Sequence, residues 1–136
     1  MDYLTSILSL LAAIITAVSG FYVFRHQRLV SASDKLRDAF AKALEVLRYS
    51  GDTDPADILI ESFPAHETSV HEFERLLSES NSKAFLDRWY EYAYYKGDKK
   101  HLFLEQYSSA GCDVKERERR RILAIERITN LFRYAK

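Results

Sequence analysis

YLTSILSLLAAIITAVSGFYVF, residues 3–24, runs 22 positions without one charged side chain. As an α-helix rising about 1.5 Å per residue it extends about 33 Å, enough to cross a hydrocarbon core of about 30 Å. Tyr3 stands at one end and Phe21, Tyr22 and Phe24 at the other, where the aromatic rings of an interfacial belt belong. Two other readings compete. A helix apolar on every face is unusual in a small soluble domain. A cleaved signal peptide could use Ala17-Val18-Ser19 as its cleavage site, but it calls for a basic leader. Only Asp2 precedes the run, and the bases follow it. The stretch therefore reads as a transmembrane helix.

The flanking charges set an orientation. Arg25, Arg28, Lys35 and Arg37 follow the run and no base precedes it, so the positive-inside rule places the C-terminal part in the cytoplasm. Within the run, Ala12, Thr16 and Gly20 are four apart, as are Ser9, Ala13 and Ala17. Small residues at that spacing let helix backbones approach in lipid, which offers faces for a homo-oligomer or a partner's span. The chain divides into an anchor and exit segment, residues 1–28, and a cytosolic helical domain, residues 29–136.

Working outward, the apolar spacing continues as helices. Residues 25–33 form the exit, with Ser31 or Ser33 as a cap if the chain breaks there. Leu36, Ala39, Phe40, Ala43, Leu44 and Leu47 mark an amphipathic helix over 34–49, closed by a loop at 50–53. Asp54-Pro55 is an N-cap followed by a first-turn proline. Residues 56–63 read as a helix or a short strand. Pro64 opens a further element to Leu77, with Val70, Phe73, Leu76 and Leu77 on one stripe. Residues 78–81 (SESN) are a break. The next helix, capped by Asn81 or Ser82, carries Phe85, Leu86, Trp89, Tyr90, Tyr92 and Ala93 to about Lys96, where Gly97 ends it. A polar loop covers 97–101. Leu102, Phe103, Leu104 and Tyr107 form an apolar patch, and 108–113 (SSAGCD) is a second break. A last helix spans 113–134, with Val114, Ile122, Ile125, Ile128 and Leu131/Phe132 as its buried edge. The expected fold is all-α: one transmembrane helix followed by a cytosolic bundle of four or five short helices. Four glycines and two prolines suit helices better than a chain of tight β-turns.

Little catalytic chemistry is legible. His66-Glu67 and His71 fall one residue outside the zinc pattern His-Glu-x-x-His. Histidines four apart share a helix face; five apart they point about 140° from each other. His66 and His71 are therefore expected in surface or capping roles, and no metal or cofactor is expected. Cys112, the single cysteine, has no base fixed beside it by the sequence. No glycine-rich phosphate loop occurs.

Charge is polarised along the chain although the total is zero. Residues 52–80 hold eight acids and one base, and residues 115–136 hold eight bases and three acids. These segments are expected to pack as neighbours with their charges fringing the seam. The alternative is two docking surfaces, with Arg117, Arg120 and Arg121 contacting a protein partner or anionic lipid. Zero net charge and a membrane tether argue against nucleic acid. Tyr94 and Tyr95 lie outside the main aromatic stripe and are candidates for a partner surface.

RHQRLVSASDKLRDAF, HEFERLL, FLDRWYEYAY and the terminal ILAIERITNLFRYAK resemble a group of small bacterial proteins with an N-terminal span and a helical cytosolic part. The resemblance implies a bacterial inner-membrane protein; its motifs are packing patterns and carry no activity. The expected function is a non-enzymatic adapter or small accessory subunit that binds a protein partner at the cytoplasmic face. The alternative is a membrane-anchored enzyme or ligand sensor with a pocket among the helices.

Overall fold

The computed structural model describes residues 2–94 and 104–135. It is all-α: α1 (Asp2–Tyr49), α2 (Pro55–Glu74), α3 (Glu79–Ala93), α4 (Leu104–Tyr107) and α5 (Val114–Phe132). The 48 residues of α1 extend about 72 Å. Residues 2–28 stand exposed on all sides, and burial begins with Leu29 and Ser33.

No break separates the apolar run from the domain. Ser31 and Ser33, expected as caps, lie inside α1, and Ser33 is buried. A serine caps a helix only where the backbone leaves helical geometry. Here the core stripe from Leu36 to Leu47 stays in phase with the preceding turns, so the helix continues.

α2 starts as its sequence dictates. The Asp54 side chain accepts the Ala56 N–H at 3.1 Å, and Pro55 occupies the first turn. The strand alternative for residues 56–63 is overturned, and so is the expected start at Pro64, which lies inside α2. A proline within a helix removes one hydrogen bond to the carbonyl four residues back. That carbonyl belongs to Ile60; Ile60 and Pro64 are both exposed, so water can serve it. α3 begins earlier than expected. Ser78, not Asn81 or Ser82, is the cap, its hydroxyl accepting the Asn81 N–H at 3.4 Å. The SESN break is therefore the first turn of α3. The expected end at Gly97, the 97–101 loop, Leu102 and Phe103 lie outside the described residues.

The helices alternate in direction. α2 returns along α1, bringing His66 onto Phe40 and residues 72–76 beside 24–35. α5 also runs antiparallel to α1: Arg121 reaches the Leu47 carbonyl, Phe132 meets Phe40, and Arg37 donates to the Ala135 carbonyl. α3 opposes α5, with Phe85 on Tyr134 and Arg127 donating to the Glu91 carbonyl. The bundle thus has one end near residues 24–37, where the apolar run joins it, and a far end, near Tyr49 and the start of α5.

Its core is aromatic. Phe40, Phe73, Phe85, Trp89, Tyr92 and Tyr107 are all buried, beside Leu36, Leu47, Leu59, Ile128 and Leu131. Phe73 meets Phe85 edge-on at 5.1 Å, and Phe63 stacks on Trp89 at 5.6 Å. Each such side chain contributes about 1.5–3 kcal/mol by burial. The buried edge of α5 is Ala124, Ile128 and Leu131. Val114 and Ile122, expected on that edge, are 77% and 53% exposed. Val114 is the first residue of α5, past the reach of the neighbouring helices. Ile122 falls off the stripe because the phase of the helix is set by Ala124, Ile128 and Leu131.

Candidate functional site

Residues 3–24 are the first candidate. α1 is long and apolar enough to span a membrane: its best window has a mean hydropathy of 2.2, and none of that window is buried. A core helix would be mostly covered. Both small-residue faces, Ala12/Thr16/Gly20 and Ser9/Ala13/Ala17, are exposed. Thr16 returns its hydroxyl to the Ala12 carbonyl at 2.8 Å, which satisfies it without a neighbour. A Cβ added at Gly20 would meet nothing, so no contact within the chain requires glycine there.

α2 and α5 do touch, as the expected seam requires, but the charges of the basic helix do not pair across it. Asp113 caps the basic helix, accepting the Glu116 N–H at 2.8 Å. Its ion pairs are local: Arg120 with Glu116 at 3.1 Å, Arg119 with Glu116 at 3.7 Å, and Arg121 with Glu118. Among the described residues no ion pair joins α5 to the acidic segment 52–80. Glutamates three and four residues away on the same helix are nearer partners, while Asp57, Glu61 and Glu72 of α2 face outward.

Two of the arginines do structural work through backbone oxygens. Arg121 donates to the Leu47 carbonyl at 2.7 Å and the Arg48 carbonyl at 3.1 Å, closing the C-terminus of α1. The last carbonyls of a helix lack intrahelical partners and carry partial negative charge, so a guanidinium suits them. Arg120 donates to the Ser108 carbonyl at 2.6 Å and the Glu105 carbonyl at 3.1 Å. Ser109 in turn gives its N–H to Asp54, the α2 cap, at 3.0 Å. Arg117 is partly covered, and its Nε has no hydrogen-bond partner. Arg119, which sequence reasoning passed over, is the open one, with 82% of its side chain exposed. Arg121→Gln is therefore expected to lower domain stability by about 1.5–3 kcal/mol, the range for hydrogen bonds to a charged group. Arg119→Gln should change it by less than about 0.5 kcal/mol. Thermal melts of the two variants side by side check this.

Tyr94 is half-buried against the core, with its ring 5.8 Å from Tyr90. Tyr95 lies outside the described residues. Among the described residues, the far end of the bundle carries the domain's most open apolar side chains: Tyr49, 83% exposed, with Val114 and Ile122 of α5. Arg121 fastens these two helices there.

His66 departs most from expectation. It is not on the surface but fully buried, stacked on Phe40 with ring centroids 3.8 Å apart and Nδ1 2.9 Å from the Tyr92 hydroxyl. Pro64 does not begin a helix, so His66 is not in a first turn; it sits mid-helix on the core stripe with Leu59, Val70 and Phe73. Burial lowers its pKa to about 4; the Ala39 backbone partly opposes the shift, yet Nε2 reaches no partner at hydrogen-bond geometry. Burial also raises the Tyr92 phenol, so its proton stays available to the imidazole. His71 is exposed, with its ring edge toward Trp89. Among the described residues no three His, Cys, Asp or Glu side chains are placed to hold a metal. Cys112 is a half-buried free thiol that follows Gly111, whose φ of 74° makes the turn.

The chain matches no protein-family model, and no curated protein or solved structure matches it at significance.

Proposed function

We propose that the protein is a single-pass membrane adapter or small accessory subunit. Its apolar segment crosses the bilayer, and its helical domain is held at the cytoplasmic face, where it binds a protein partner. The observation that carries this reading is the continuity of α1. One uninterrupted helix contains both the 22-residue uncharged run and the first core stripe of the domain. A stiff helix holds a domain at fixed height, which a flexible tether would not do.

Height then sorts the candidate surfaces. Leu47, held by Arg121, lies about 35 Å along α1 from Phe24. Surface charge fades over a Debye length of about 8 Å at physiological salt. Arg117, Arg120 and Arg121 are thus proposed as far-end residues, out of reach of lipid headgroups. The partner surface is proposed at that end, around Ile122 and Arg119, which line one surface of α5, together with exposed Tyr49 at the end of α1, because exposed apolar side chains and an open arginine suit a contact centre. The small-residue faces of the span supply a place for a second copy or a partner's helix.

Tyr49→Asp with Ile122→Asp tests the reading. Both positions are exposed, so the melting curve should hold. Purification in mild detergent should then recover a stoichiometric partner with the wild type and at least tenfold less with the double variant. Equal recovery would remove the far end as the docking surface. A membrane-anchored enzyme or ligand sensor is the second reading, and small-molecule binding among the helices would favour it.

A further inference from the structure

A groove of about 520 Å³ opens at the end where the apolar run joins the bundle, between α1 just after that run and the last turn of α2. Its walls bring Arg28 and Lys35 of α1 against Arg75, the C-cap of α2. Arg28 and Lys35 are seven residues apart and so share one face. Ser31 and Ala32 lie between them on the same stripe, and Phe24, Ala32 and Leu76 supply apolar surface. Glu72 is the one acid in the lining. All three cations are exposed, and no carboxylate among the described residues comes within ion-pair distance of them. Arg28 rests over the Phe24 ring at 5.7 Å.

We infer that this groove binds the headgroup of an anionic glycerophospholipid, with its phosphate among Arg28, Lys35 and Arg75. The inference rests on the span proposed above. Height is the first argument. Arg28 lies one turn, about 6 Å, below Phe24, and the headgroup layer is about 5–7 Å deep on each side. Lys35 lies about 16 Å below Phe24, under the headgroup layer, and its side chain leans toward the helix N-terminus, here toward the bilayer, so it meets the phosphate from the water side. Charge is the second. Three unpaired bases from two helices converge where a single acid opposes them, and arginine and lysine both bind phosphate oxygens. The third is the mixed lining: Phe24 and Leu76 can receive the glycerol and first acyl carbons while the cations hold the phosphate.

Native mass spectrometry of the full chain, purified in mild detergent and offered phosphatidylglycerol or phosphatidylcholine, tests the site. Arg28→Gln/Lys35→Gln/Arg75→Gln is compared with Lys42→Gln/Arg48→Gln/Lys115→Gln. The control removes the same charge from exposed positions away from the groove. The wild type and the control should retain one phosphatidylglycerol per chain, at least tenfold over phosphatidylcholine, and the groove variant should lose it. Equal loss in the control would show that overall charge is responsible and overturn the site. So would equal retention of phosphatidylcholine. Displacement by inorganic phosphate at concentrations matching the lipid's would mark a free-phosphate site and overturn the lipid assignment. An alkaline wash of wild-type membranes separates the two readings. A chain that washes off ends the span reading, and this site with it. A chain that stays but shows no preference for phosphatidylglycerol ends only the site.

Discussion

Ile14→Arg is expected to keep the chain out of the membrane. Position 14 is near the middle of the 22-residue uncharged run and half-exposed on α1. An arginine at the centre of a spanning helix costs roughly 2.5–3.5 kcal/mol on insertion scales. That is on the order of a hundredfold in the insertion equilibrium. The arginine cannot reach water readily, because about 15 Å of helix lies on either side. The domain should be untouched, since its core begins with Leu29 and Ser33, well beyond position 14. The variant should thus appear in the soluble fraction after an alkaline wash, with its domain still melting cooperatively. Wild type should stay in the pellet. A variant retained in the pellet would count against a span and leave α1 a surface-exposed apolar arm with another purpose.

The helices were legible where the chemistry is local. Asp54-Pro55 marks a helix start by itself, because the carboxylate and the fixed φ of proline act within three residues. The stripe from Leu36 to Leu47 was likewise readable from spacing alone. The errors came where a local signal was outweighed by packing. Ser33 can cap a helix, but it is buried in a continuous one. Pro64 can start a helix, but Leu59, His66 and Phe73 around it face one core, and their joint burial outweighs one missing hydrogen bond. Val114 and Ile122 look like core residues, and only the positions of the neighbouring helices show that they are not.

The candidate surfaces were less legible, for a different reason. The arginines of α5 could be counted from the sequence, but their partners could not. Arg121 ends on carbonyls 74 and 73 residues away, a relation that no local pattern encodes. The cationic groove has the same character: Arg28 and Lys35 are a visible pair, while Arg75 joins them only because α2 folds back along α1. A signal for His66 was present. It stands three before Ser69, four before Val70 and seven before Phe73, in phase with the apolar stripe. The zinc-like spacing to His71 drew attention to the wrong partner.

His66 should make the domain sensitive to mild acid. Its neutral ring is held between Phe40 and the Tyr92 hydroxyl, and burial lowers its pKa from 6.5 to about 4. The sign follows from linkage. Above pH 6.5 the imidazole is neutral in both folded and unfolded chains, and its contribution is fully present. Between pH 6.5 and about 4 the unfolded chain takes up a proton that the folded chain refuses, so stability falls as the pH falls. At 1.36 kcal/mol per pKa unit, the loss between pH 7.5 and pH 5 is about 2 kcal/mol. Below about pH 4 the folded form also protonates and this loss levels off. His66→Asn retains a polar atom near the Nδ1 position for Tyr92 but cannot titrate. It should begin less stable, because it gives up the Phe40 stack and leaves space beside it. Its stability should then change much less between pH 7.5 and pH 5. Exposed His26 and His71 are common to both chains, so the difference between the two pH profiles reports position 66. Thermal melts of the full chain in detergent at those two pH values supply the comparison. Parallel profiles would show that His66 accepts its proton in the folded core, and that Tyr92 and the Ala39 backbone offset the cost of burying the charge.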